Sequence, residues 1–272
     1  MAKKPVGLFK GCAIGCGVIA SILVIGVIVI SVRTWMPLQS SGKSLAALEE
    51  RFGPPESYTP ALDGALPAER VQAFLDVRRS LAAQCAEFVT VQQQLQRMAR
   101  LDEKETLSAG EVAQTLKGLF DVSTGVAPMI GDYFEKRNRA LLESEMGLGE
   151  YTYVFALAYR EQFLEQALHA ELFSEGGPLS PEFAAALRAM LTNQRDAWIT
   201  EGRANERRRL IEQEIEAMER DPQRLPWQDE LPRAVGDSLA PFRDRLDEAY
   251  CRSSAGIAMD RDSQRALIIA LE

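Results

Sequence analysis

Residues 11–32, GCAIGCGVIASILVIGVIVISV, run for 22 positions without one charged side chain. At about 1.5 Å of rise per residue, a helix of that length covers about 33 Å, enough for a bilayer core of about 30 Å. An amphipathic helix docked on a soluble core would keep a polar face, and this run has none. A cleavable signal has a shorter apolar region, about 7 to 15 residues, and ends in small residues, whereas Arg33-Thr34-Trp35-Met36 follows here. Ala13-Ile14-Gly15-Cys16 superficially resembles a lipoprotein site, but Cys16 stands near the start of the run, not after it. The run is therefore expected to be a retained transmembrane helix.

Flanking charge sets its direction. Lys3, Lys4 and Lys10 precede the run with no acid among them, while Arg33 and Lys43 follow it. Basic residues stay on the cytoplasmic side, so residues 1–10 are expected to form a cytoplasmic leader and the larger part to lie outside. Trp35 suits the headgroup layer beyond the span. Within the run, Gly11 and Gly15 form a small-x-x-x-small pair that lets two such helices approach, which would make a homodimer through Gly11 and Gly15. Cys12 and Cys16 sit one turn apart among these glycines, with no histidine near them to complete a metal site.

The formal charge of the chain is −8. Residues 1–33 hold four basic and no acidic side chains, so the remainder is more acidic still. Such a domain repels phosphate backbones, which excludes nucleic acid as a natural partner. Arginine outnumbers lysine 24 to 7, a bias that suits a GC-rich bacterial genome and places the expected anchor in a bacterial inner membrane.

Residues 33–66 read as a stalk. Ser40-Ser41-Gly42 looks flexible, Ser44 suits the cap of a short helix through Phe52, and Gly53-Pro54-Pro55 stops it. Beyond Pro67 apolar residues recur at three- and four-residue steps. Phe74, Val77, Leu81, Phe88, Val91, Leu95 and Met98 predict one helix to about Leu101. A second begins at the capping box Ser108/Glu111, with Gly125 and Pro128 interrupting it, and ends at Gly147-Leu148-Gly149. A third spans about Glu150–Phe173, and a fourth runs from Ser180 for nearly forty residues to Arg220. A final pair occupies about Leu231–Cys251, bent at Pro241, and the terminal RALIIALE suits either a short helix or a strand. The expected fold is all-α: an N-terminal transmembrane helix, a stalk, and a bundle of long antiparallel helices over residues 67–272.

Chemistry is sparse. His169 is the single histidine, with Glu161 and Glu165 on the same predicted helix. That trio suits a general base or half of a metal site, yet Arg160, Gln162 and Gln166 share its side and mark a solvated face. Tyr151, Tyr153, Phe155 and Tyr159 suit either a ligand groove or a core with hydroxyls reaching polar partners. Arg203, Arg207, Arg208 and Arg209 are interleaved with Glu201, Glu206 and Glu212, the pattern of a salt-laced surface. Cys85 and Cys251 read as two buried thiols or one disulfide. No catalytic, metal or cofactor site is assigned. The preferred function is an anchored interaction or scaffold protein that binds another envelope protein. Its rivals are a binding module for a small apolar or lipidic ligand and a hydrolase-type enzyme using Glu161, Glu165 and His169. A large apolar pocket between the helices would favour the ligand, a filled core with an exposed apolar groove the partner.

Overall fold

Helices carry nearly all the regular structure of the computed structural model, which describes residues 39–102, 126, 128–170, 181–201 and 206–254, the side chains of 95–102, 166–170 and 181 excepted. No strand occurs among the described residues, so the chain is all-α and forms a helical bundle. In chain order the helices are α1 (residues 39–52), α2 (Ala68–Ser80), α3 (Ala82–Asp102), α4 (residues 128–143), α5 (Leu148–Ala158), α6 (Arg160–Ala170), α7 (Pro181–Thr200), α8 (Glu206–Arg220), α9 (Arg233–Leu239) and α10 (Arg243–Ala249). Among the described residues no helix is long and apolar enough to cross a membrane. The run 11–32 with Gly11, Gly15, Cys12 and Cys16, the Ser108/Glu111 box, Ser180 and the tail beyond Ser254 lie outside those residues.

α5 organises the rest. Tyr151, Thr152, Tyr153, Val154, Phe155, Ala156 and Leu157 are all buried in succession, as a helix apolar on every side must be. α2 covers it through Phe74, whose ring meets Tyr151, Phe155 and Tyr159 at centroid distances of 5.3, 6.2 and 5.9 Å. α7 and the short 3₁₀ turn Pro55–Ser57 cover other sides. α8 folds back on α7, where Leu187, Leu191 and Trp198 face a core shared with Ile211, Ile215 and Met218.

Three helices expected to be single are broken. α2 and α3 part at the buried Leu81, where the Ser80 hydroxyl donates to the Val77 carbonyl at 2.7 Å and competes with the backbone ladder. α5 and α6 part at Tyr159, with φ −113° and ψ 20°. α7 ends at a turn at Glu201, and α8 is described from Glu206. Each break keeps the three-and-four periodicity on both sides, which is why the pattern alone reads as continuous. The described helices are consequently shorter than the long antiparallel ones expected.

The stalk is not a stalk where it is described. Residues 39–52 are already helical, so Ser44 lies inside α1, and Ser41, Leu45 and Leu48 are buried. Asn138 of α4 donates to the Ser44 hydroxyl at 3.2 Å and to the Ser41 carbonyl at 3.4 Å. After Gly53, which ends α1 at φ 78°, the proline-rich strap lacks regular structure beyond its 3₁₀ turn, and its carbonyls need donor partners elsewhere. α7 supplies them. Asn193 donates to the carbonyls of Glu56 and Tyr58, Gln194 to Ala61 at 2.6 Å, and the Trp198 indole to Leu62 at 3.0 Å. The strap is thus lashed to the domain by side chains of α7.

The end of α4 also departs from expectation. The Glu145 amide donates to Leu142 and the Met146 amide to Leu141, the paired bonds of a Schellman cap, with Glu145 at φ 50° in the position glycine prefers. Gly147, by contrast, has φ −71° and begins the next helix. Glu145→Gly should therefore raise stability by about 0.5 to 1 kcal/mol, since its exposed ion pair with Arg51 contributes little. Chemical denaturation of the two proteins checks this, and a lower midpoint for the variant would count against the cap.

Candidate functional site

A groove of about 410 Å³ opens where the C-terminal end of α10 meets the α2–α3 bend. One wall carries Leu81, Ala82, Cys85 and Ala86, and the other Arg245, Glu248, Ala249 and Tyr250. Cys85 and Cys251 are joined across it as a disulfide, with Cα atoms 5.9 Å apart. That decides between the two readings of these cysteines. The bond pins the short helical turn Arg252–Ser254 to α3, where the Ser253 hydroxyl also donates to Gln92 at 2.6 Å.

Arg78 lies at the groove's floor and is only 3% exposed. Its guanidinium lies over the rings of Phe155 and Tyr159, at 5.0 and 5.7 Å. Nη1 donates to the Tyr151 hydroxyl at 3.2 Å, while Nε and Nη2 both donate to the Ala249 carbonyl, at 3.3 and 3.1 Å. Every partner is neutral. Arg245 on the rim is similar, donating to the Gln72 amide oxygen at 2.7 Å and lying over Phe242. Arg79 alone of the three pairs with an acid, Asp76 at 2.8 Å, and that pair is half exposed.

A second groove, of about 210 Å³, lies between α6, α9 and α10, and Glu161 lines it with Arg160, Arg243 and Asp247. Glu165 is exposed and does not line that groove. His169 lies within α6, but its side chain falls outside the described residues, so the trio with Glu161 and Glu165 is not assembled by anything the structure shows. Among the described residues there is also no group of three or more metal-ligating side chains. Arg208 pairs with Glu212 at 2.8 Å along α8, as its spacing suggests, and Arg203 lies outside the described residues.

The aromatic residues singled out in the sequence are core. Tyr151, Tyr153, Phe155 and Tyr159 are all at most 2% exposed; Tyr151, Phe155 and Tyr159 pack among themselves and on Phe74, with Phe163 and Tyr250 beside them, while Tyr153 meets the ring of Tyr58. Burial pushes the Tyr153 phenol up to about 12, and it moves Tyr58, Tyr133 and Tyr159 upward as well, Tyr58 with help from the Glu150 carboxylate. An unfolded tyrosine titrates near 10. Below that value the folded and unfolded chains hold the same phenolic protons. Above it only the folded state keeps them, so stability declines as pH rises from about 10 to about 12. Tyrosinate absorbance should then rise together with loss of helix signal. Ionisation of these tyrosines well before unfolding would contradict their burial.

One loop is held in an unusual conformation. Trp227 has φ 58°, costly for a bulky side chain, and is fixed from both sides. Its amide donates to the buried Glu214 carboxylate at 2.9 Å and its carbonyl accepts from Arg160 at 2.8 Å. Arg224 bridges the Glu214 carboxylate to Asp229. These contacts account for Glu214 and Arg224 as structural groups, positions the sequence offers only as scattered charges. The arginines of the first groove were missed for the same reason: no local pattern distinguishes Arg78 from the charged surface residues beside it.

The chain matches no family model, no curated protein and no solved structure.

Proposed function

We propose that this chain is a single-pass, membrane-anchored helical module that stands outside the cytoplasm of a bacterial cell and binds another envelope protein without catalysing a reaction. The anchor is the charge-free run 11–32, and its direction follows from the lysines before it. The Cys85–Cys251 disulfide supports that side of the membrane, because such bonds persist in oxidising compartments and are rare in the cytosol. Six residues lie between the run and Gln39, the first described residue, and six residues can span no more than about 20 Å, so the domain works close to the lipid surface.

The observation that carries the partner reading is where the room lies. The two grooves among the described residues, of about 410 and 210 Å³, are partly open at the surface and are lined by arginines and acids as well as apolar groups. A wholly apolar or lipidic ligand would leave the charged groups of both grooves without partners. Two measurements test the proposal. A reporter active only outside the cytoplasm, fused after Glu272, should give signal, and release of the protein by carbonate washing would remove the anchor from the reading. Purification of the full chain in mild detergent after mild cross-linking should retain a second protein. A bound lipid with no protein partner would transfer the proposal to the ligand-binding class.

A further inference from the structure

We infer that the groove beside the disulfide receives an acidic peptide segment of the partner protein, an inference that rests on the interaction reading above. Burying a cation costs free energy unless opposite charge or strong hydrogen bonds offset it, and Arg78 has only a tyrosine hydroxyl, a carbonyl and two ring faces. Its field reaches into the groove through a low-dielectric floor, where salt screens it little. Arg245 adds a second guanidinium held by an amide oxygen and a ring face, both neutral, and Arg79 a third on a weak, exposed ion pair. Glu248 is the one acid among the groove's lining residues. In a chain of net charge −8 this is a local cationic recess, complementary to carboxylates.

The occupant's size and walls narrow its class. A volume of about 410 Å³ exceeds what a lone phosphate or carboxylate fills, and Leu81, Ala82, Ala86 and Tyr250 offer apolar contact that a bare anion would leave wet. A short segment alternating acidic and apolar side chains meets both demands: carboxylates for the forked guanidinium donors, aliphatic groups for the walls. Arg245, on the rim, is the contacting cation, and Arg78 acts from the floor.

The test uses the full chain in detergent and a fluorescently labelled synthetic peptide alternating glutamate and leucine. Binding should be saturable and weakened by salt. Arg245→Gln should weaken it by about tenfold, the loss of one charge-assisted contact, and Glu248→Gln should tighten it. Neither side chain holds the core, and melting temperatures close to the parent's would confirm that both variants are folded. Equal binding of the glutamine counterpart, no binding of the glutamate peptide, or no effect of Arg245→Gln would overturn the inference. So would displacement by inorganic phosphate alone, which would mark a simple anion site, or binding that appears only once residues 255–272 are removed, which would make the chain's own tail the occupant. If the partner protein co-purifies equally well with the Arg245→Gln variant, the groove assignment fails while the interaction reading stands.

Discussion

Replacing Cys85 and Cys251 together by serine should lower the free energy of unfolding by about 3 to 5 kcal/mol, a large part of what a domain of this size possesses. The bond closes a loop across a sequence separation of 166 residues, so it removes much of the freedom of the unfolded chain. In the native state it holds the segment after α10 against α3, where the neighbouring tether is the exposed hydrogen bond from Ser253 to Gln92. Urea denaturation of parent and double variant measures the difference. The slope should also steepen, because an uncross-linked chain exposes more surface on unfolding. Reduction of the parent with dithiothreitol should reproduce the variant's curve. Identical midpoints in all three samples would show that the pair contributes nothing.

Gly149→Ala should be comparably damaging, by about 3 kcal/mol, although alanine is the better helix former. An added Cβ would lie 2.3 Å from the Pro55 carbonyl oxygen and 2.7 Å from Cβ of Tyr58, so the 3₁₀ turn would have to lift off α5. Neither obstacle is the free end of a side chain, and Pro55 is itself buried. Gly236 in α9 provides the comparison, since nothing lies within 4 Å of the Cβ it would gain. There the same substitution should stabilise by about 0.5 to 1 kcal/mol. Opposite signs for the two variants in one denaturation series are the expected result, and a stabilised Gly149→Ala would mean that the strap does not approach α5 so closely.

The strap shows what sequence reasoning could reach. Gly53 and the prolines after it correctly mark the end of a helix, because glycine reaches positive φ and proline lacks a donor. The prolines and the Asp63-Gly64 turn of residues 53–66 suggest an extended course along the domain, but they do not say which groups hold it there. The answer lies more than a hundred residues away, in Asn193, Gln194 and Trp198, whose spacing on α7 is as compatible with water as with the carbonyls of Glu56, Ala61 and Leu62. The candidate site has the same character. Its disulfide was one of two readings of a cysteine pair, and its arginines carried no local signature at all.

Local pattern was enough to show that this chain is helical and which face most of its helices bury, because the α-helix has a period of 3.6 residues and apolar side chains must leave water on one side. It also determined the conspicuous run 11–32, through length and absence of charge alone. Tertiary structure decided where the long periodic stretches break, that α5 is enclosed on all sides, that Cys85 meets Cys251, and that Arg78 is a buried cation among neutral partners. Periodicity is a local property, fixed by residues within a turn or two of each other. Pairing between distant segments depends on which complementary surfaces and hydrogen-bonding groups meet once the chain has closed its loops, and no window of sequence contains both halves of such a contact.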